Sequence, residues 1–210
     1  MLRSKFIAPF LFVWYNELKG ECEDMKITYV TGNKYKIELA QRILGPLGVE
    51  VLQKKIYCPE IQDNEIQNVS KFSAKYAANE LGVPVIKNDS GLAVDALNGF
   101  PGPYTAYVED TLTEDGVLKL MEGVENRKAC FIEVISYCEP DKEPISFISR
   151  TEGEISLEKR GEYGWSYDRI FIPKGETKTL AEFSDNERWK FWTDDAYIQL
   201  KEYLDANKEQ

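Results

Sequence analysis

Asp89 is the residue around which chemistry could be organised. It stands directly after the apolar run Val83, Val85 and Ile86, which has the character of a short buried strand, and is followed at once by Ser90 and Gly91. Gly91 tolerates positive φ and lets another group come close to the backbone. A second break, Gly99-Phe100-Pro101-Gly102-Pro103, makes a stiff turn ending in Tyr104. A carboxylate at a strand exit with glycine beside it and a rigid loop behind it suits a metal or catalytic site. Taken alone, however, Asp89-Ser90-Gly91 reads as a plain turn before it reads as a site.

A second group of donors lies upstream. Lys26 to Val30 alternates and is β-branched and aromatic, so it predicts a strand, and it runs into Thr31-Gly32-Asn33-Lys34-Tyr35-Lys36. Ile37, Leu39, Ala40, Ile43 and Leu44 then recur at helical spacing until Gly45-Pro46. Strand, glycine turn and helix together aim backbone N–H groups at whatever occupies the turn, and Thr31, Asn33 and Lys36 add donors, an arrangement suited to phosphate. The GxxxxGK[ST] spacing of a P-loop is absent.

Composition narrows the chemistry further. The 210 residues include no histidine, which removes Ser-His-Asp and Cys-His catalysis, HExxH zinc sites and imidazole acid/base work. The formal net charge of −10 argues against wrapping nucleic acid, although a small anion with a divalent cation remains compatible with it. Cys22, Cys58, Cys130 and Cys138 have no CxxC spacing and read as reduced thiols of a cytoplasmic protein. With 43% apolar and 30% charged residues, the composition is that of an ordinary globular chain.

The elements that must carry these residues follow in order. Residues 1 to 24 differ from the rest: Arg3 and Lys5 precede an apolar run, Phe6 to Tyr15, too short to span a bilayer and without a small-x-small cleavage pattern. They read as an extension of uncertain status, with the functional domain opening at Met25. Val49 to Ile56 predicts a second strand, Glu60-Ile61-Gln62 a loop, Val69 to Leu81 an amphipathic helix closed by Gly82, and Val83 to Ile86 the strand that delivers Asp89. Leu112 to Met121 predicts a helix. Ala129 to Cys138 and Ile145 to Glu154 predict two strands about a hairpin loop, and Ala181 to Leu204 an interrupted amphipathic helix. No repeat or linker divides 25 to 210, so one α/β unit with two lobes is expected.

These residues also stand in a recognisable order. Thr31-Gly32-Asn33-x-x-Lys36, Glu60-Ile61-Gln62, Asp89-Ser90-Gly91-Leu92, Gly99 to Tyr104, Gly153-Glu154-Ile155, Tyr167-Asp168 and Thr179-Leu180-Ala181-Glu182 make the chain from Met25 to about Leu204 resemble the Ham1-like inosine/xanthosine triphosphate pyrophosphatases. The resemblance implies an elongated mixed sheet flanked by helices, two lobes with a central cleft, and a homodimer. It also implies a Mg²⁺-dependent house-cleaning hydrolase that splits a nucleoside triphosphate into monophosphate and pyrophosphate; the net charge and the short apolar run add the expectation of no nucleic-acid and no membrane partner. Residue by residue, it makes Asp89 and Glu60 the catalytic acids and, with Asn88, the metal ligands. Thr31, Gly32, Asn33, Lys36, Ser90 and Gly91 would hold phosphate. Trp165 would stack on the base, with Tyr167, Asp168, Arg188, Lys190, Thr193 and Asp194 around it.

The chain departs from the pattern in three places. Asn88 stands where the family usually has glutamate. Gly164-Trp165-Ser166-Tyr167-Asp168-Arg169 carries Ser166 and Arg169 where the family has glycine and proline, and Arg169 would bring a positive charge to the cleft. The family's Ser-His-Arg falls on a region that here ends Thr193-Asp194. Loss of histidine and arginine donors removes the contacts that read a 6-oxo group, and Asp194 would accept hydrogen bonds instead, so an altered base preference is expected. The competing expectation is a nucleotide-binding protein of the same fold with little turnover.

Overall fold

The structure is a computed structural model, and it describes residues 25–207. The expectations for the first 24 residues fall outside that range. Strand β1 (Met25–Val30) leads into Thr31-Gly32-Asn33 and helix α1 (Lys34–Leu44), whose first turn is capped by the Asn33 side chain accepting from the Tyr35 N–H at 2.9 Å. Next come β2 (Val49–Lys54), α2 (Ile66–Leu81), closed by left-handed Gly82, and β3 (Val85–Val94). Helices α3 (Thr105–Thr111) and α4 (Thr113–Leu120), strands β4 (Lys128–Cys138), β5 (Ile145–Ile155) and β6 (Phe171–Pro173), and helices α5 (Asp185–Arg188) and α6 (Asp195–Ala206) complete the chain.

The six strands form one mixed sheet in the order β2-β1-β3-β4-β5-β6. The first three are parallel and the others join antiparallel. From β1 the chain crosses to one side for β2 and returns to the other for β3, so the carboxyl end of β1 is a switch point, where open α/β sheets leave a ligand crevice. The crevice is widened because β1 meets β3 only through Thr28–Val85 and Tyr29–Ile86. From Lys87 to Leu92, β3 pairs with β4 alone, and Ala93 bridges Pro101 on the other edge.

Three long strands, β3, β4 and β5, run through two cores. At one end Ile27, Tyr29, Leu44, Ile86, Ile135, Tyr197 and Leu200 pack together under α1 and α6, with the buried Tyr29 and Tyr197 hydroxyls 2.9 Å apart. At the other, Leu92, Val94, Val117, Met121, Ile155, Ile170, Phe171 and Leu180 form a second cluster. Each fully buried Leu, Ile or Phe contributes about 1.5–3 kcal/mol, so each cluster stabilises its own end of the sheet. On the opposite face α2 lays Ala74, Ala77 and Ala78 against Val30 and Val85.

Two expectations need correction. The strand expected to end at Ile86 continues to Val94, because every residue from Val85 to Val94 pairs with β4 from Cys138 back to Ala129. Lys87-Asn88-Asp89-Ser90 lacks apolar alternation, yet its backbone is committed to the ladder, so Asp89-Ser90-Gly91 is strand rather than turn. Gly91 is extended; a Cβ there would lie 2.1 Å from the Gly102 carbonyl oxygen, and close approach rather than positive φ requires glycine. The second concerns helices. Thr105–Thr111 is helical where no element was expected, and the helix expected from Leu112 begins at Thr113, at a φ of 58° that breaks the two helices apart.

Two of the motifs are explained by packing. A Cβ on Gly153 would meet the Ile172 carbonyl oxygen at 2.3 Å, so this glycine lets β5 and β6 pair. Thr179-Leu180-Ala181-Glu182 is a capping box, with the Thr179 N–H donating to Glu182 Oε2 at 2.7 Å.

Candidate active site

At the switch point a cavity of about 590 Å³ opens between α1, the sheet, the 165–168 turn and the 188–194 segment. It gathers most of the residues singled out from sequence. Asn33 and Lys36 come from the start of α1, Ser90 and Gly91 from β3, Trp165, Tyr167 and Asp168 from the aromatic turn, and Arg188, Thr193 and Asp194 from the segment before α6. Donors suited to phosphate thus share one wall system with aromatics suited to a base. Thr31 and Gly32 do not line it. The Thr31 hydroxyl accepts from the Asn33 N–H at 3.1 Å and so shapes the turn. Lys190 also stays outside, its ammonium over the Phe183 and Phe191 rings at 5.1 and 4.7 Å. Arg169 is bound by Glu114 at 3.1 Å instead of entering the cleft.

The acids lie on the other side of β3. Because successive strand residues face opposite ways, Asp89 points away from Ser90, into a second cavity of about 570 Å³ that it shares with Glu60, Lys87, Ser70 and Ser73. Asp89 Oδ1 accepts from the Ser90 N–H at 2.9 Å. Burial pushes the Asp89 carboxyl above the usual range and Glu60 adds to this, while the Ser90 N–H, Lys36 and Lys87 oppose it. The Ser70 hydroxyl, on α2, is fully buried and has no hydrogen-bond partner among the described residues.

Asn88 joins the two cavities. It borders the second, and its amide oxygen accepts from the Lys36 ammonium, which lines the first, while its Nδ2 donates to Glu133 Oε1 at 2.8 Å. That oxygen faces the Lys36 ammonium, so a metal held by Asn88 would share it with a cation. Among the described residues no three His, Cys, Asp or Glu side chains cluster to hold a metal ion unaided. Mg²⁺ needs only one or two carboxylates beside waters and phosphate oxygens, and the hard oxygens of Asp89 and Glu60, which share the second cavity, fit that requirement.

The aromatic side is built on a buried ion pair. Arg188 and Asp168 are 8% and 7% exposed, with Nη1 and Oδ2 2.5 Å apart; Arg188 Nη2 also reaches Asp185 at 2.6 Å. The Trp165 N–H donates to Asp168 at 3.2 Å, which sets the start of the turn. Burial pushes the Asp168 carboxyl up against the pull of the Trp165 N–H and Arg188. Gly164, at φ 69°, leaves room for the pair, since a Cβ would stand 2.0 Å from Arg188 Nη1 and 2.1 Å from Asp168 Oδ2. Trp165 itself is 67% exposed with the Arg188 guanidinium 6.0 Å from its ring, so one indole face is open to a ligand. The Tyr167 hydroxyl donates to the Thr105 carbonyl at 3.1 Å and ties the turn to α3.

Several lining residues escaped the sequence reading. Tyr35 stacks on Trp189 with centroids 4.6 Å apart, and Arg42 pairs with Asp194 at 3.2 Å; helical spacing put both on α1 but gave no sign of what lay opposite. Glu133 did leave a signal, being the sole charge between Ala129 and Cys138.

Comparison with known proteins bears on this geometry. Residues 27–192 match the model of the Ham1 family. A dITP/XTP pyrophosphatase of Methanopyrus kandleri is 49% identical over 166 residues, 79% of this chain and 88% of that protein. One of Methanosarcina acetivorans is 48% identical over 165 residues, with 79% and 89% covered. Among solved structures, the Staphylococcus aureus Ham1 protein superposes with a TM-score of 0.75 at 29% identity, covering 86% of this chain and 98% of that one. A HAM1 protein from Coxiella burnetii gives 0.75 at 28%, covering 87% and 99%. In sequence and in the mixed sheet that frames its cavities, the chain belongs to the Ham1 family.

Proposed function

We propose that this chain hydrolyses a nucleoside triphosphate between its α and β phosphates, releasing a monophosphate and pyrophosphate in nucleotide-pool house-cleaning. One observation carries the reading: Asn33, Lys36 and Ser90 line the same cavity as Trp165, while Asp89 and Glu60 face the adjoining one across β3. The base lies on the open face of Trp165, and the phosphate chain runs past Asn33, Lys36 and Ser90 over the unpaired edge of β3 towards Asp89 and Glu60. A water oxygen attacks the α phosphorus, its proton passes to the Asp89 carboxylate, and the bond to the bridging oxygen breaks so that pyrophosphate leaves. Asp89 and Glu60 would hold Mg²⁺, which when bound neutralises phosphate charge. The names of the archaeal relatives support the reaction class, and the homodimer implied by resemblance is part of the same proposal, testable by light scattering.

Base preference is proposed to differ from inosine and xanthosine. Asp194 is paired with Arg42 and Asp168 with Arg188, so the polar groups around the base are ion pairs, without a histidine. A panel of inosine, xanthosine, adenosine, guanosine and pyrimidine triphosphates with Mg²⁺, assayed by pyrophosphate release and with Asp89→Asn as control, tests both parts. A strong inosine preference refutes the altered specificity. Saturable nucleotide binding without pyrophosphate release refutes turnover and supports a binding protein.

A further inference from the structure

Glu133 belongs to no motif and is the sole charged residue of β4 between Ala129 and Cys138. It pairs in register with Ser90 and therefore shares that residue's face of the sheet, where both line the larger cavity. Asn88 lies two residues from Ser90 on β3, within diagonal reach. Its amide stands between opposite charges, with the oxygen towards the Lys36 ammonium and Nδ2 on Glu133 Oε1 at 2.8 Å.

That arrangement fixes direction. An amide has one accepting and one donating end, and a carboxylate can only accept. With Glu133 holding Nδ2, the Asn88 oxygen must face Lys36; turned round, the amide would present N–H groups to an ammonium and leave the carboxylate unpaired. The Lys36 ammonium has three donors and spends one on Asn88, which leaves two for a ligand in the cavity. Lys36 is also a cation drawn out of water, an arrangement that is costly without nearby negative charge. Glu133 provides that charge one amide away.

We infer that Glu133 is a positioning residue for phosphate binding: through Asn88 it aims the Lys36 ammonium at the anion that enters the cavity. The inference rests on the proposed reaction for the identity of the anion, and it assigns the phosphate side of the site an acid that is neither a ligand nor a proton acceptor.

The test is a series of variants probed with inorganic pyrophosphate by calorimetry, with thermal melts and, in parallel, KM and kcat on the best substrate of the wild type. Glu133→Leu removes both charge and acceptor, and is expected to weaken pyrophosphate binding about tenfold and to raise KM far more than it lowers kcat. Glu133→Gln keeps an acceptor for Asn88 and should fall between. Asn88→Asp combined with Glu133→Gln puts a carboxylate directly against Lys36, and should hold the ammonium in place and recover affinity lost in Glu133→Gln. The role is overturned if folded Glu133→Leu binds pyrophosphate within twofold of wild type, or if the double variant folds and recovers nothing. Should Glu133→Leu not fold, the comparison of Glu133→Gln with the double variant decides alone. A wild type that releases no pyrophosphate from any nucleotide sinks the enzymatic reading, whereas turnover with unchanged affinity in Glu133→Leu sinks only the role of Glu133.

Discussion

Gly164→Ala places one methyl group against the ion pair on which the aromatic turn is built. The Cβ would lie 2.0 Å from Arg188 Nη1 and 2.1 Å from Asp168 Oδ2, far inside van der Waals contact. Neither partner has slack, because the two are already 2.5 Å apart and each is less than a tenth exposed. The methyl must therefore drive them apart or move the turn. Separating a buried pair costs about 3–5 kcal/mol, and the left-handed conformation of Gly164 adds about 1–2 kcal/mol for any L residue. The sum, roughly 4–7 kcal/mol, is a large part of the 5–15 kcal/mol typical of a whole domain. At about 2–4 °C per kcal/mol for a chain of this size, Tm should fall by roughly 10–25 °C. Gly175→Ala is the control: its φ is 84°, but a Cβ there meets nothing within 4 Å among the described residues. It carries the backbone cost alone, so Tm should drop by no more than about 8 °C. Scanning calorimetry on both proteins decides the matter. Equal shifts would mean that the steric argument, and with it the tight Arg188–Asp168 pair, is wrong.

Other consequences are open to measurement. Trp165→Ala removes the exposed indole face and, if a base stacks there, should weaken nucleotide binding by about 1–3 kcal/mol, roughly 5- to 150-fold, with little change in Tm; unchanged affinity by calorimetry would move the base elsewhere. Ser166 holds a φ of 49°; Ser166→Gly should relieve about 1 kcal/mol and raise Tm by about 2–4 °C, and a lower Tm would contradict this. Asp168 has its carboxyl pushed up by burial, so its contribution to stability is fully present below the unfolded carboxylate range near pH 4 and is lost as pH rises through the higher folded value. The Tm of wild type minus that of Asp168→Asn should therefore decline from acid towards neutral pH, and a difference that grows would show that Arg188 outweighs burial. Gly91→Ala drives a Cβ to 2.1 Å from the Gly102 carbonyl and should disturb the Leu92 N–H to Thr105 hydroxyl bond, now 2.8 Å, with loss of turnover; a fully active, stable variant would place the loop differently.

How much of this was legible in sequence depended on the range of the interaction concerned. The strand-turn-helix from Met25 to Leu44 was readable because alternation, a turn glycine and helical spacing act within one segment. The hairpin of β4 and β5 was readable for the same reason. The polar stretch Lys87 to Ser90 was misread as the end of a strand, since the ladder that holds it is formed with β4, more than 40 residues on.

The residue types alone determined that any chemistry here rests on carboxylates, lysine, arginine and hydroxyls, because there is no histidine to do otherwise. The ordered motifs determined the family. What only the tertiary structure decided is how those groups face each other: Asp89 and Glu60 on one side of β3, Ser90 and Lys36 on the other, Asn88 between Lys36 and Glu133, Asp194 on Arg42. Each of these pairs joins residues far apart in the chain. Strand register and the alternation of faces brought them together, and no local pattern encodes which partner a charge will meet.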